Sequence, residues 1–225
     1  MTISFADADR RIQGVAITGV GTLLKVGDEL SAAPPPQMEG GNEVWAVAAG
    51  DALALTLTPL EATGAAADAG VAAHRAAGSA GAHRVDGLAL VRREREAGGL
   101  ALERSLAILF DAQLALALHA SRPRGAGGHG EEQIDAILLR GEPLDRVAIE
   151  KPRLSSTYGA DGRITHAGLE LWESEESELP LRIGGEALAA GDLAGPGGVP
   201  VAVTFVAWHH DSRHGLGSYT ITRGG

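Results

Sequence analysis

The 225-residue chain contains no cysteine. That excludes thiol catalysis, thiolate metal sites and disulfide staples. Aromatics are scarce: three Trp, two Tyr and three Phe. Basic residues are outnumbered, 19 Lys and Arg against 29 Asp and Glu, for a net charge of −10. An acidic chain with no basic stripe repels phosphate backbones, so nucleic acid is not an expected partner. No run approaches the roughly 18 uninterrupted apolar residues of a membrane-spanning helix. The opening MTISFADADRR has neither the basic nor the apolar region of a signal peptide, so the expected location is the cytoplasm.

What the chain has is Ala, Leu and Val, with 32 Gly and a hydrophobic fraction of 44%. Domains usually run about 100 to 200 residues, so one large β domain or two small domains fit the length. Short apolar runs alternate with period two between Gly, Asp and Pro. LALERSLAILF (100–110) and QLALALHAS (113–121) flank a compact turn and read as a hairpin. RLSSTYGADGRITHAGLELWE reads as a second hairpin, turning at Ala160, Asp161 and Gly162. VPVAVTFVAWHH and LGSYTITR form a third, joined by DSRHG. Roughly a dozen or more such strands recur at the spacing of sandwiches and barrels. The Ala-rich stretch from 61 to 81 is interrupted by glycine and reads as irregular with one weak strand, and SAAPPPQMEGGNE reads as a proline-rich loop. The expected architecture is all-β, with two calycin- or lipocalin-like barrel or sandwich lobes packed together, residues 1–121 and 122–225, and little helix.

Three stretches carry candidate chemistry. SRPRGAGGHGEE bends at its glycines, but no Lys-Ser/Thr follows, so a nucleotide loop is not supported. In an extended segment His129 and Glu131 share a face, and a carboxylate beside an imidazole suits general acid–base work. A solvated strand entry, its arginines paired to glutamates, is the competing reading. In WHHDSRHG, His209 and His210 sit on opposite faces of a strand, so at most one of them converges with His214. No metal motif of known spacing is present, and no metal or other cofactor is expected. In AGLELWESEESELPLR, Leu169 and Leu171 face one way while Glu170 and Trp172 face the other. Glu170 is either a pocket carboxylate, whose pKa burial would raise, or half of a buried ion pair with Arg104 or Arg182.

The runs RPRGAGGHGEE, RLSSTYGADGRITHAGLELWE and WHHDSRHGLGSYTITR resemble a group of actinobacterial and proteobacterial proteins within the lipocalin-like superfamily. That superfamily includes the hydroxyneurosporene synthase, AttH-like and tocopherol-cyclase-like proteins. The resemblance spans about residues 122 to 223. It implies two calycin-like lobes with a pocket where they meet. It also implies addition of water to hydrophobic polyenes and polyketides, or their isomerisation or cyclisation, without a redox cofactor. No catalytic residue carries over one by one.

The expected function is binding of a hydrophobic small molecule (an isoprenoid, polyketide or lipid), with cofactor-free hydratase, isomerase or cyclase chemistry as its catalytic form. A non-catalytic carrier or structural barrel is the alternative. His129, Glu131 and Glu170 are the candidate proton carriers. Arg104 and Arg124 would orient a polar head, and Tyr158, Trp172 and Trp208 would complete the binding site. A homodimer is the assembly considered.

Overall fold

The computed structural model describes residues 1–40, 44–60, 70–93, 100–125, 132–174 and 176–224. The first sheet comprises β1 (Thr2–Asp7), β2 (Ile12–Ile17), β3 (Gly21–Val26), β4 (Glu29–Ala33), β5 (Gln37–Gly40), β6 (Trp45–Ala49), β7 (Leu53–Pro59), β8 (Val71–Ala80) and β9 (His83–Arg92). The second comprises β10 (Leu100–Asp111), β11 (Leu114–Pro123), β12 (Gln133–Arg140), β13 (Asp145–Ala148), β14 (Lys151–Tyr158), β15 (Ile164–Trp172), β16 (Leu181–Ala194), β17 (Pro200–His210) and β18 (Arg213–Arg223). Apart from a 3-10 turn at Pro196–Gly198, the described residues contain no helix, and no helix is long and apolar enough to cross a membrane.

All pairings are antiparallel, and the two sheets share one topology. The first runs β4-β3-β2-β1-β9-β8-β7-β6-β5, and adding nine to each label reproduces the second, β13-β12-β11-β10-β18-β17-β16-β15-β14. The chain is therefore an internal structural repeat. Each sheet curls around its own core, giving the all-β, two-lobed barrel-like architecture expected from the alternation.

The lobes divide between β9 and β10, so the expected boundary at 121/122 falls inside the second sheet. There β11 pairs with both β10 and β12. The hairpin at 100–121 opens the second lobe and does not close the first. Two other stretches are more regular than the sequence suggests. β5 forms directly after the proline run at 34–36, and β8 occupies Val71–Ala80 of the Ala-rich region. The DSRHG connection is also shorter than expected: Asp211, at φ 51°, begins a two-residue turn, and Arg213 and His214 already belong to β18.

Inside the first lobe Ile3, Phe5, Ile12, Leu53, Leu55, Leu57 and Val85 are buried together. Inside the second, Ile108, Leu116, Leu138, Leu169, Ile183, Trp208 and Tyr219 do the same. Two rings need glycine opposite them. Phe5 lies over its cross-strand partner Gly14, and Trp208 over Gly185; a Cβ on either glycine would sit 2.2 Å or 2.4 Å from the ring.

β1 and β2 are buried along their whole length because both faces are covered. One faces the first core and the other packs on the second lobe. Val15, Ile17 and Leu23 meet Leu193, Val201, Val203 and Phe205 there, while Ala6, Val71 and Leu90 meet Ala107, Leu109, Ala117 and Leu139. Polar bonds cross the same junction. Ser4 Oγ lies 2.8 Å from Ser218 Oγ, and the Gln13 amide donates to the Gly217 carbonyl at 3.0 Å.

Candidate functional site

Strand alternation gives β10 and β11 two working faces. Arg104, Leu106 and Ile108 point into the second lobe, while Glu103, Ser105 and Ala107 point toward the first. On β11, His119 is opposite Ser105 and, across β12, opposite Asp135, so these three side chains share the lobe-facing side. From the first lobe, the end of β9 brings Arg92 to them. Its Nη1 lies 2.9 Å from His119 Nδ1, and its Nη2 lies 3.6 Å from Glu103 Oε1. His119 Nδ1 is itself 3.6 Å from Glu103 Oε1 and 3.4 Å from Ser105 Oγ. A guanidinium only donates, so Nδ1 accepts, and the proton of neutral His119 sits on Nε2.

Of these groups Arg92, His119 and Asp135 line a cleft of about 70 Å³ between the lobes, together with Gly70, Val71, Arg93, Ala117, Leu118 and Ile137, and Glu103 stands behind Arg92 and His119. A gap of about 20 Å³ adjoins it through Val71, Arg92 and Ala117, with Ser4, Ser105, Ser218 and Thr220 along its walls. Val71, Ala117, Leu118 and Ile137 supply the apolar lining of the cleft, and Arg92, Arg93, His119 and Asp135 its polar lining. That layout suits the polar end of an otherwise apolar molecule. Arg92 and His119 bring donor groups to the lining, and Asp135 brings a carboxylate.

A second polar cluster lies inside the second lobe. Arg104 makes a two-armed ion pair with Glu132, through Nε to Oε1 at 2.9 Å and through Nη2 to Oε2. Its Nη1 donates to the Tyr219 hydroxyl at 3.2 Å, and that hydroxyl lies 3.1 Å from Ser156 Oγ. Burial pushes the Tyr219 phenol up to about 12, against the opposing pull of Arg104. Burial also disfavours the Arg104 cation, but Tyr219 and Glu132 outweigh it and hold the guanidinium above its ordinary pKa. The cluster ties β10, β12, β14 and β18 together, including β12 and β14, which pack where the curled sheet approaches itself.

The expected site residues scatter. Arg104 and Tyr158 both reach Tyr219: Tyr158 ends β14 beside it and is 42% exposed. Arg124 is exposed in the turn after β11. Trp208 is a core side chain at 1% exposure, and its indole N–H has no partner among the described residues. Glu170 and Trp172 share a face as expected, but it is the outer one. Glu170 lies 3.4 Å from Arg182 Nε and 4.0 Å from Arg153 Nη1, and Arg153 stacks 4.9 Å from the Trp172 ring centre. Glu170 does face Arg182, one of the two expected partners, but at the surface and not buried, because Leu169 and Leu171 take the inward side. A broad, open depression runs past Glu170, floored by Gly168 and Gly184 and flanked by His209. His129 and Glu131 lie outside the described residues. His209 pairs directly with His214, and among the described residues no three His, Asp or Glu gather as a metal site would require.

The cleft groups Arg92, Glu103, Ser105 and His119 were not singled out from the sequence. The available signal was a histidine and a glutamate on strands that are apolar on both faces, as strands covered on both sides are. Comparison with known proteins adds no relative: no family model matches the chain and no curated protein matches its sequence.

Proposed function

We propose that this chain binds a small, largely apolar molecule by its polar end in the cleft between the two lobes. The observation that carries the reading is Arg92 of one lobe meeting His119 and Glu103 of the other, with Arg92 and His119 lining the same cleft as Val71, Ala117 and Ile137. Guanidinium and imidazole N–H groups on the wall of a partly apolar cleft favour a carbonyl or hydroxyl oxygen, which accepts from them. An imidazole with a carboxylate 3.6 Å away is the kind of pair that cofactor-free hydration, isomerisation or cyclisation would use to move a proton. The resemblance to the lipocalin-like superfamily points to the same substrate class of isoprenoids, polyketides and lipids. Native mass spectrometry of freshly purified protein tests the reading. A lipophilic adduct on the wild-type chain that is lost in the Arg92→Ala/His119→Ala variant supports it. An adduct retained by that variant, or no adduct in either protein, overturns it.

The second reading is a non-catalytic structural or carrier barrel. It is favoured by how fully the lobe interiors are occupied, with Trp208, Tyr219, Phe5 and Leu116 each at 2% exposure or less.

A further inference from the structure

Against a net charge of −10, arginines collect at one end of the second lobe. Leu102 of β10 is opposite Arg122 of β11 on one side and opposite Arg223 of β18 on the other. Opposed residues in antiparallel strands share a face. Arg122, Leu102 and Arg223 therefore continue the inner rows that hold Ala120, Arg104 and Ile221, one step nearer the mouth of the lobe. Neighbouring strands are about 4.8 Å apart, so the two arginines, two strands apart, start about 10 Å from one another. Both long side chains can close on a single group between them. Arg124 follows in the turn after β11. Deeper in, Glu132 is engaged by both arms of Arg104. Among the described residues no carboxylate pairs with Arg122, Arg124 or Arg223. Half-buried Leu102 lies between Arg122 and Arg223, and exposed Tyr158, opposite buried Ile164 and so on the same inner face, reaches Tyr219 one step further in.

We propose that the mouth of the second lobe is a binding site for an oxyanion, carboxylate or phosphate, carried on an apolar or aromatic body. Guanidinium forks match the two oxygens of such a group, and like charges held close together without a counter-charge favour an anion between them. Leu102 and Tyr158 contact the body of the ligand. The Arg104–Glu132 pair forms a neutral floor, so the anion stays at the rim. This site is on the opposite face of β10 and β11 from Glu103, Ser105 and His119 and stands independently of the cleft.

Calorimetric titration of the full chain at low ionic strength, with inorganic phosphate, octyl phosphate and octanoate, tests the proposal. Octyl phosphate and octanoate are expected to bind, and phosphate alone more weakly. Arg122→Gln/Arg223→Gln is expected to weaken them at least tenfold, Arg122→Lys to weaken them less, and Arg92→Ala/His119→Ala to leave them unchanged. Both rim arginines lie outside the cores, so the rim variant should melt with the wild type. Should it not, Arg124→Gln provides the same comparison. Preference for octyl phosphate over octanoate identifies a phosphate head, and the reverse a carboxylate. No binding of any probe, equal affinity in the rim variants, or loss only in the cleft variant would overturn it.

Discussion

Tyr219 shows how one buried group ties stability to pH. In the folded chain its phenol stays protonated up to about 12, because burial disfavours the phenolate more than Arg104 favours it. In the unfolded chain it ionises near its ordinary value of 10.0. The folded state thus holds the extra proton across that interval. The stability gained is complete below the unfolded value and is lost as pH rises through the folded one, on the order of 2–3 kcal/mol in all. Melting curves of the wild type should fall steeply between those values. Tyr219→Phe should flatten that fall, and should lower stability near neutral pH by roughly 1 kcal/mol through loss of the Arg104 and Ser156 bonds. An unchanged alkaline profile in the variant would remove Tyr219 as the cause.

At the scale of strands, the fold depends on large rings opposite glycines. Gly185→Val puts branched carbons where the Trp208 ring lies, and a fully buried ring has nowhere to turn. Overpacking of this kind costs roughly 1–3 kcal/mol. The variant should show a lowered melting temperature and an altered near-ultraviolet signal from Trp208; a wild-type melt would contradict the packing. This scale was the most legible in the sequence. Short apolar runs broken by turn residues identified the hairpins of β10–β11, β14–β15 and β17–β18, and on β14 and β15 the period-two alternation is clear because those strands separate their two faces. It did not tell which face is inward. For β15 the alternation of Leu169 and Leu171 against Glu170 and Trp172 is real, yet the carboxylate faces solvent. β5 was hidden by the prolines before it, which carry no strand signal of their own. The cleft histidine was hidden because His119 sits among Ala and Leu on a strand that is covered on both sides, where alternation fades.

At the scale of the whole molecule, the repeat of nine strands explains both the junction and the cleft. Each lobe presents its β1-like strand to the other, so an outer face that would be solvated in a single barrel becomes a second core. This arrangement depends on contacts far apart in the chain, so in the sequence the division between β9 and β10 stands out no more than the glycine-rich stretch at 125–130. The two lobes should unfold as one unit. Phe205→Ala, which empties the junction without touching either lobe interior, should cost about 3–5 kcal/mol. Hydrogen exchange should then rise in β1 and β2 as well as in β17. Faster exchange confined to the second lobe would mean that the lobes are independently stable.

The claim that the ligand site lies between the lobes is tested most directly by methyl NMR during titration with a small ketone such as 2-octanone. Shifts should move at Val71 and Ile137 and at the His119 ring, while the interior methyls of Leu116 and Leu138 stay still, and Arg92→Ala should abolish the response. Movement at Leu116 and Leu138 with a silent Val71 and Ile137 would place the ligand inside a lobe and contradict the account.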